Sequence, residues 1–221
     1  MRSEFKDAFK LALKQKLMPM GYTNSSDTIF VRELLPGVRG CIGYLKWGTL
    51  IAVNPFVGVH FEHVERIFEE FFKPLRVVSK STPRYFPCPF RSLYELKEER
   101  SDDPEFRLKQ DQYLRLEPNT IGQVCDRILI DVQEYGSHYI EFNSTLENAA
   151  ATMAEGRGGG IGSVAYTLPI IYWILGRTNE AKAYMATTAT KGYPIGPYEK
   201  YAALVTARID SGPAPLPRDR H

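Results

Sequence analysis

The chain has 221 residues, of which 43% are hydrophobic and 24% are charged, the proportions of an ordinary globular protein with a substantial core. Its 28 basic and 26 acidic residues give a net charge of +2, and no part of the chain is basic enough to predict nucleic acid as a partner. The three cysteines, Cys41, Cys88 and Cys125, are widely spaced, which argues against a zinc site or a disulfide framework and fits a reducing compartment.

Secretion and membrane insertion are both disfavoured by the sequence. The first residues carry charges where a signal peptide has an apolar stretch. The longest apolar run, residues 161–175, contains Pro169 and is too short to cross a bilayer. We therefore expect a cytoplasmic protein without a membrane partner.

The first predicted element is a helix that Ser3 caps and that ends at Leu17, where Pro19 and Gly21 forbid its continuation. Its apolar face consists of residues four positions apart: Phe5, Phe9, Leu13 and Leu17. A second stripe consists of Lys6, Lys10 and Lys14. We interpret that stripe as a solvated helix face rather than an anion-binding surface, because such lysine stripes are common on surfaces.

Three β-rich segments follow in residues 28–55, each closed by glycine or proline. Pro36-Gly37 and Gly48-Thr49 predict tight turns between them. A three-stranded sheet with one apolar face needs helices against it, and a second amphipathic helix, ended by Pro74, follows the sheet. We therefore predict an α+β unit over residues 1–78: a helix, a three-stranded antiparallel meander and a helix.

Residues 79–118 predict a linker and a charged loop. The segment 79–84 has the composition of a linker, and Tyr85–Phe90 contains too many prolines for a central strand. Lys97 to Asp111 is dominated by charges of both signs, which predicts an exposed loop.

The C-terminal half, residues 119–210, is predicted to be mainly α-helical because its apolar residues recur with a period near 3.6. One helix is closed by Gly136, and a second extends from Tyr139 to near Gly156. Both carry an apolar stripe along one face.

Three more helices are predicted after the second. Pro169 indicates that the helix within residues 165–175 begins late or is kinked. The next helix is entered through Thr178-Asn179, and the last covers about 197–209. Residues 211–221 are rich in proline and predict a disordered tail.

A glycine-rich loop, Gly156–Ser163, is the most prominent candidate for a catalytic motif. Backbone N–H groups that precede a helix hold phosphate in nucleotide-binding loops. The dinucleotide fingerprint needs a preceding strand and the P-loop needs Gly-Lys-Ser/Thr, and this loop has neither. We predict a flexible loop that binds no phosphate, and an enzyme with a phosphate-binding loop at 156–162 is the alternative.

Other reactive residues lack the spacing of a site. His60 and His63 are three residues apart without a third ligand, so no metal is predicted. Nothing in the spacing pairs Cys88 with His138, and Cys125 falls on an apolar helix face. The carboxylates of the C-terminal half fall on different helical phases: Asp126, Asp131, Glu134 and Glu141. The sequence thus predicts no catalytic residue, no cofactor and no enzyme.

Residues Tyr172–Met185 resemble the turn between the two helices of a tetratricopeptide repeat, with an aromatic residue, Leu-Gly, a polar turn and Glu-Ala. No second copy occurs at the repeat period. We therefore predict a single helical hairpin, and a helical adaptor domain is a second alternative.

The chain as a whole supports one further resemblance. The features that carry it are the helix Phe5–Leu17, Gly21-Tyr22, the strand Phe30-Val31-Arg32, a sheet that ends near Asn54, Tyr135-Gly136 and the Leu175-Gly176 hairpin. They resemble small bacterial domains of unknown function found among immunity proteins, which protect bacteria from polymorphic or contact-delivered toxins. The resemblance implies a cytoplasmic inhibitor that forms a tight complex with one cognate toxin. Such a protein can also form a homodimer.

An inhibitor of this kind offers carboxylates to a toxin, because toxins that act on nucleic acid or nucleotides usually have basic clefts. Interface hot spots also favour tyrosine. The predicted partner-binding residues are Glu62, Glu65, Glu69 and Glu70 on the second helix, and Tyr94, Glu98, Glu99, Asp102, Asp103 and Tyr113 in or beside the charged loop.

Overall fold

The computed structural model describes residues 2–47, 52–76, 88–100, 117, 119–190 and 198–214. The helices in this part of the chain are α1 (Arg2–Leu17), α2 (Glu62–Arg76), α3 (Leu93–Glu98), α4 (Ile121–Asp131), α5 (Ser137–Phe142), α6 (Leu146–Ala154), α7 (Ile161–Ile174), α8 (Thr178–Thr190) and α9 (Tyr198–Asp210). The strands are β1 (Thr23–Asn24), β2 (Ile29–Leu35), β3 (Val38–Trp47), β4 (Ala52–Phe61) and β5 (Phe90–Ser92). The fold is α+β with a helical C-terminal half, as the sequence predicts. No helix in these ranges is both long and apolar enough to cross a membrane.

The chain forms two compact units, each built from two separated stretches. The first unit combines Met1–Val59 with Phe90–Ser144, and the second combines His60–Pro89 with Thr145–His221. The boundaries predicted near residues 78 and 118 do not coincide with these units. Composition alone predicts a linker over residues 79–118, whereas β5 and α3 lie inside that segment and belong to the first unit.

The sheet has five strands in the order β1-β2-β3-β4-β5, and neighbouring strands are antiparallel. The predicted meander is confirmed as β2, β3 and β4, and one short strand is added at each edge. Thr23 of β1 pairs with Val31, and Arg91 of β5 pairs with Val57. The edge position of β5 agrees with the proline-rich sequence before it, because proline cannot donate to a central ladder.

The turn between β2 and β3 depends on Gly37, whose φ of 75° lies in the left-handed region that glycine tolerates best. Pro36 precedes it, and a register shift lies between Glu33 and Leu35. The predicted turn at Gly48-Thr49 lies outside the described residues.

Helix α1 covers the first unit with one apolar face. Phe9, Leu13 and Leu17 are buried, and the Phe9 ring meets Tyr44 of β3 edge-on with ring centroids 5.0 Å apart. Gly21, at φ 82°, donates its N–H to the Met18 carbonyl and ends the helical path, as predicted.

The helix predicted to end at Gly136 continues beyond it. Residues Val132–Gly136 form a π-helical turn that joins α4 to α5 without a break. A Cβ on Gly136 would lie 2.8 Å from Val57 Cγ1 and 3.2 Å from Leu93 Cδ2. The glycine therefore permits close packing on β4 and α3 instead of closing the helix.

The helix predicted from Tyr139 to Gly156 is divided in two. Its first part ends at Phe142, which is 49% exposed, and Asn143 follows with non-helical backbone angles. The Thr145 side chain then accepts a hydrogen bond from the Asn148 N–H and caps α6. The apolar spacing continues across this cap, so the sequence pattern predicts one helix where the structure has two.

The second unit is helical, and its centre is α7. Helices α7 and α8 form the predicted hairpin, which Gly176 closes at φ 74°. Helix α7 begins at Ile161 and continues through Pro169, so the expectation of a late start is wrong. Pro169 has no N–H, and the carbonyl of Ala165, one turn earlier, therefore loses its normal helical partner.

Two tyrosines of α9 supply hydroxyls to α7 at this point. Tyr198 Oη donates to the Ala165 carbonyl at 3.4 Å, and Tyr201 Oη donates to the Tyr166 carbonyl by a shorter bond. Burial raises the pKa of Tyr198 to about 12 and that of Tyr201 well above its ordinary value, so both hydroxyls stay protonated donors.

We predict that the loss of the Tyr198 hydroxyl is coupled to Pro169. Tyr198→Phe leaves a buried carbonyl without a donor and is expected to cost about 1–3 kcal/mol in the free energy of unfolding. In a Pro169→Ala background the new N–H serves the Ala165 carbonyl, so the same substitution is expected to cost less than about 1 kcal/mol. Urea denaturation of the four variants measures the coupling.

The matched control is Tyr201→Phe, because the Tyr166 carbonyl keeps the N–H of Ile170 in either background. Its cost is expected to be the same with and without Pro169. Equal costs of Tyr198→Phe in both backgrounds would contradict the coupling.

Candidate partner-binding surface

Four of the predicted partner-binding residues form a line on α2, here named the α2 acidic row: Glu62, Glu65, Glu69 and Glu70. Positions i, i+3, i+7 and i+8 share one helix face, so the α2 acidic row is continuous. Glu70 is exposed and the other three are half-buried. Glu65 Oε2 lies 2.9 Å from His60 Nε2, which fixes one carboxylate near the start of the row.

The buried face of α2, which adjoins the α2 acidic row at Glu65, is held by aromatic rings. Phe68 and Phe72 stack with centroids 4.2 Å apart, and Phe72 stacks on Tyr201 at 5.3 Å and meets Tyr166 edge-on at 4.9 Å. We name these four residues together with Tyr198 the aromatic cluster. Ring contacts of this geometry stabilise a core beyond the area that they bury. The cluster therefore fixes the rotation of α2 and the direction of the α2 acidic row.

The other predicted residues lie in the first unit or outside the described ranges. Tyr94 and Glu98 are half-buried on α3, and Glu99 follows the helix and is exposed. Glu99 Oε1 lies 2.8 Å from Arg91 Nη1, so its charge has a partner in the same chain. Asp102, Asp103 and Tyr113 lie outside the described residues.

The prediction that Lys97 begins an exposed loop is wrong. Lys97 is 6% exposed in the last turn of α3, and its Nζ lies 3.1 Å from each carboxylate oxygen of the fully buried Asp131. Arg127, one turn before Asp131, brings its Nε to 3.3 Å from Oδ1. A buried carboxylate with two cationic neighbours results, at the point where α4 passes into its π-helical turn.

A sequence signal for this buried pair did exist. Lys97 lies four residues, or about one helical turn, after Leu93 and directly after Leu96, and both leucines are buried. Asp131 lies three residues after the buried Ile128. A charged residue on the apolar phase of a helix indicates a buried partner, because a lone charge in a core is too costly.

Within the second unit, the glycine-rich loop packs against Met153. A Cβ on Gly158 would lie 2.3 Å from Met153 Cγ and 2.7 Å from Met153 Cα. The Cys88 thiol lies 3.1 Å from Met153 Sδ and 3.7 Å from the Gly158 carbonyl oxygen. Packing thus accounts for a glycine at 158, while the absence of phosphate binding stays a prediction.

The cysteines are buried in the protein, and the described His, Cys, Asp and Glu side chains form no metal-site grouping. All three cysteines are buried, and burial raises the pKa of Cys88 to about 12 and that of Cys125 to about 11, which opposes thiolate formation. His63 Nδ1 lies 2.6 Å from Arg66 Nη2. Within the described ranges, no three His, Cys, Asp or Glu residues are grouped as a metal site.

Comparisons with protein-family models, with curated proteins and with solved structures found no match to this chain.

We predict that Lys97 and Asp131 depend on each other. Lys97→Ala leaves a buried carboxylate short of its closest cation and is expected to cost about 3–5 kcal/mol in the free energy of unfolding. The double variant Lys97→Met/Asp131→Leu removes both charges and is expected to lose far less than the single change. Urea denaturation measures both, and Glu180→Ala, which breaks the exposed pair with Arg177, is the control and should have little effect. A stable Lys97→Ala variant would contradict the prediction.

We predict that two glycines of the loop differ in their tolerance of a side chain. Gly158→Ala forces Met153 to move and is expected to destabilise the protein by about 1–3 kcal/mol. A Cβ on Gly160 would meet no atom within 4 Å, and the φ of this residue is an ordinary −60°, so Gly160→Ala is expected to be neutral or slightly stabilising. Thermal melting of the two alanine variants compares their stabilities.

The prediction that the loop binds no phosphate has its own test. A rise in melting temperature with ATP that Gly160→Val abolishes would show that the loop holds phosphate.

Proposed function

We propose that this protein binds and neutralises a cognate bacterial toxin, and that the α2 acidic row contacts a basic surface of that toxin. The observation that carries the proposal is a row of four glutamates on α2 beside a buried face that aromatic rings hold in place. Carboxylates that are held in a line by a rigid helix complement a basic cleft.

Rigid presentation matters for the strength of such a complex. Ordering a flexible side chain or loop at an interface costs about 0.5–1.5 kcal/mol for each side chain immobilised. The α2 backbone is already fixed by Phe68 and Phe72. Less ordering remains for the partner to impose, which favours a tight complex.

The predicted residues on and just after α3, Tyr94, Glu98 and Glu99, support binding less directly. Glu95 caps its own helix through Ser92, and Glu99 is paired with Arg91. A partner would have to compete with Arg91, which is always charged, before it gained the Glu99 carboxylate. Tyr94, half-buried on the same helix, is the residue of this group best suited to anchor an interface.

The burial of the cysteines adds a further argument for binding over thiol catalysis. A thiol nucleophile needs a lowered pKa and access to substrate. Cys88 has neither, because it is buried against Met153 and its pKa is raised to about 12.

We predict that charge reversal on α2 weakens toxin binding. Glu69→Lys/Glu70→Lys places two cations in the row, and affinity for the protein encoded by the adjacent reading frame is expected to fall at least about tenfold, or about 1.4 kcal/mol. Calorimetry or biolayer interferometry measures the change. Glu98→Lys/Glu99→Lys is expected to have a smaller effect, because Glu99 is paired with Arg91.

The matched control is Glu147→Lys/Glu199→Lys, which makes the same change in net charge at two exposed positions of the second unit. Circular dichroism confirms the fold of each variant. Unchanged affinity in the α2 variant would remove the row from the interface. No binding by the wild-type protein would overturn the inhibitor proposal itself.

A further inference from the structure

Helix α1 and the residue that follows it carry an exposed apolar line on the side away from the buried face. Leu11 and Met18 are each 56% exposed, and they lie seven residues apart on one helical line. The helix is nevertheless firmly packed, because Phe9, Leu13 and Leu17 are buried on the other side. Two large apolar side chains thus remain in solvent on a well-anchored segment.

Two opposite charges lie beside this line. Asp7 and Lys14 are exposed and are also seven residues apart, four residues before and three residues after Leu11. Lys10 and Lys16 are already paired in the same chain, Lys10 with Asp27 at 3.2 Å and Lys16 with Asp126. Neither Asp7 nor Lys14 has an ion-pair partner among the described residues.

This arrangement is complementary to itself under a two-fold rotation. When two copies of α1 cross antiparallel near Leu11, the negative charge of each helix meets the positive charge of the other. A parallel arrangement would instead bring Asp7 against the partner's Asp7 and Lys14 against the partner's Lys14. The charge pattern therefore selects the antiparallel arrangement.

We propose that the exposed face of α1 is a dimerisation surface whose occupant is a second copy of this chain. Leu11 packs near the two-fold axis against the partner's Leu11. Asp7 pairs with the partner's Lys14, and the symmetric pair forms on the other side of the axis. This surface belongs to the first unit, and the α2 acidic row belongs to the second.

The size of the surface predicts a weak and reversible dimer. A helix of 16 residues is roughly 24 Å long. One face of such a helix buries less than the roughly 1,600 Å² of a stable complex. A dissociation constant on the order of 100 μM is therefore expected, so the dimer forms at high protein concentration.

The test is sedimentation equilibrium of the full chain alone over a range of concentrations. The wild-type protein is expected to dimerise, and Leu11→Glu is expected to abolish the dimer without removing a core contact. Asp7→Lys and Lys14→Asp alone each place like charges together and are expected to weaken the dimer about tenfold. The double variant Asp7→Lys/Lys14→Asp restores opposite charges and is expected to recover the affinity within about threefold.

Leu204→Glu is the control, because Leu204 is a 40% exposed leucine on α9 of the second unit and should leave the dimer unchanged. Circular dichroism confirms that each variant is folded. A wild-type protein that stays monomeric up to about 1 mM would overturn the proposal. A dimer that survives Leu11→Glu, or a double charge variant no better than the single ones, would also overturn it. None of these readouts involves a toxin, so they leave the inhibitor proposal to its own test.

Discussion

A proline in the middle of α7 sets the main constraint on the second unit. Pro169 removes one N–H from a buried helix, and the Ala165 carbonyl must find another donor because an unpaired buried carbonyl is costly. Tyr198 supplies that donor from α9. The position of α9 against α7 is thus set by a hydrogen bond as well as by apolar packing, which has no comparable directionality.

The same tyrosine rings connect this constraint to the surface. Tyr201 and Tyr166 both contact Phe72, so the packing of α7 against α9 also sets the rotation of α2. A helix that is fixed on one face presents its other face in a fixed direction. The direction of the α2 acidic row therefore depends on the core of the second unit.

Sequence periodicity predicts the elements that depend on local pattern. Helix α2 is predictable because its buried residues recur with helical spacing. Strands β2 to β4 are predictable because each is a β-rich segment closed by glycine or proline. Strand β5 is not, because its ladder is formed with β4, more than thirty residues earlier in the chain. Gly136 is misinterpreted from sequence because its role, close approach to Val57, is a tertiary contact. The α2 acidic row is predictable for the same local reason as its helix, while the pairing of Glu99 with Arg91 needs the structure.

Two lysines at equivalent positions of one helical stripe differ in their ion pairing. Lys10 and Lys14 belong to one predicted stripe, which suggests a uniform solvated face. Lys10 is paired with Asp27, which lies in the loop before β2, whereas Lys14 extends from the same helix with no ion-pair partner in the described residues. The difference arises where the chain returns past α1 after Gly21. Lys14 therefore lies without an ion-pair partner in the described residues beside two exposed apolar side chains, Leu11 and Met18.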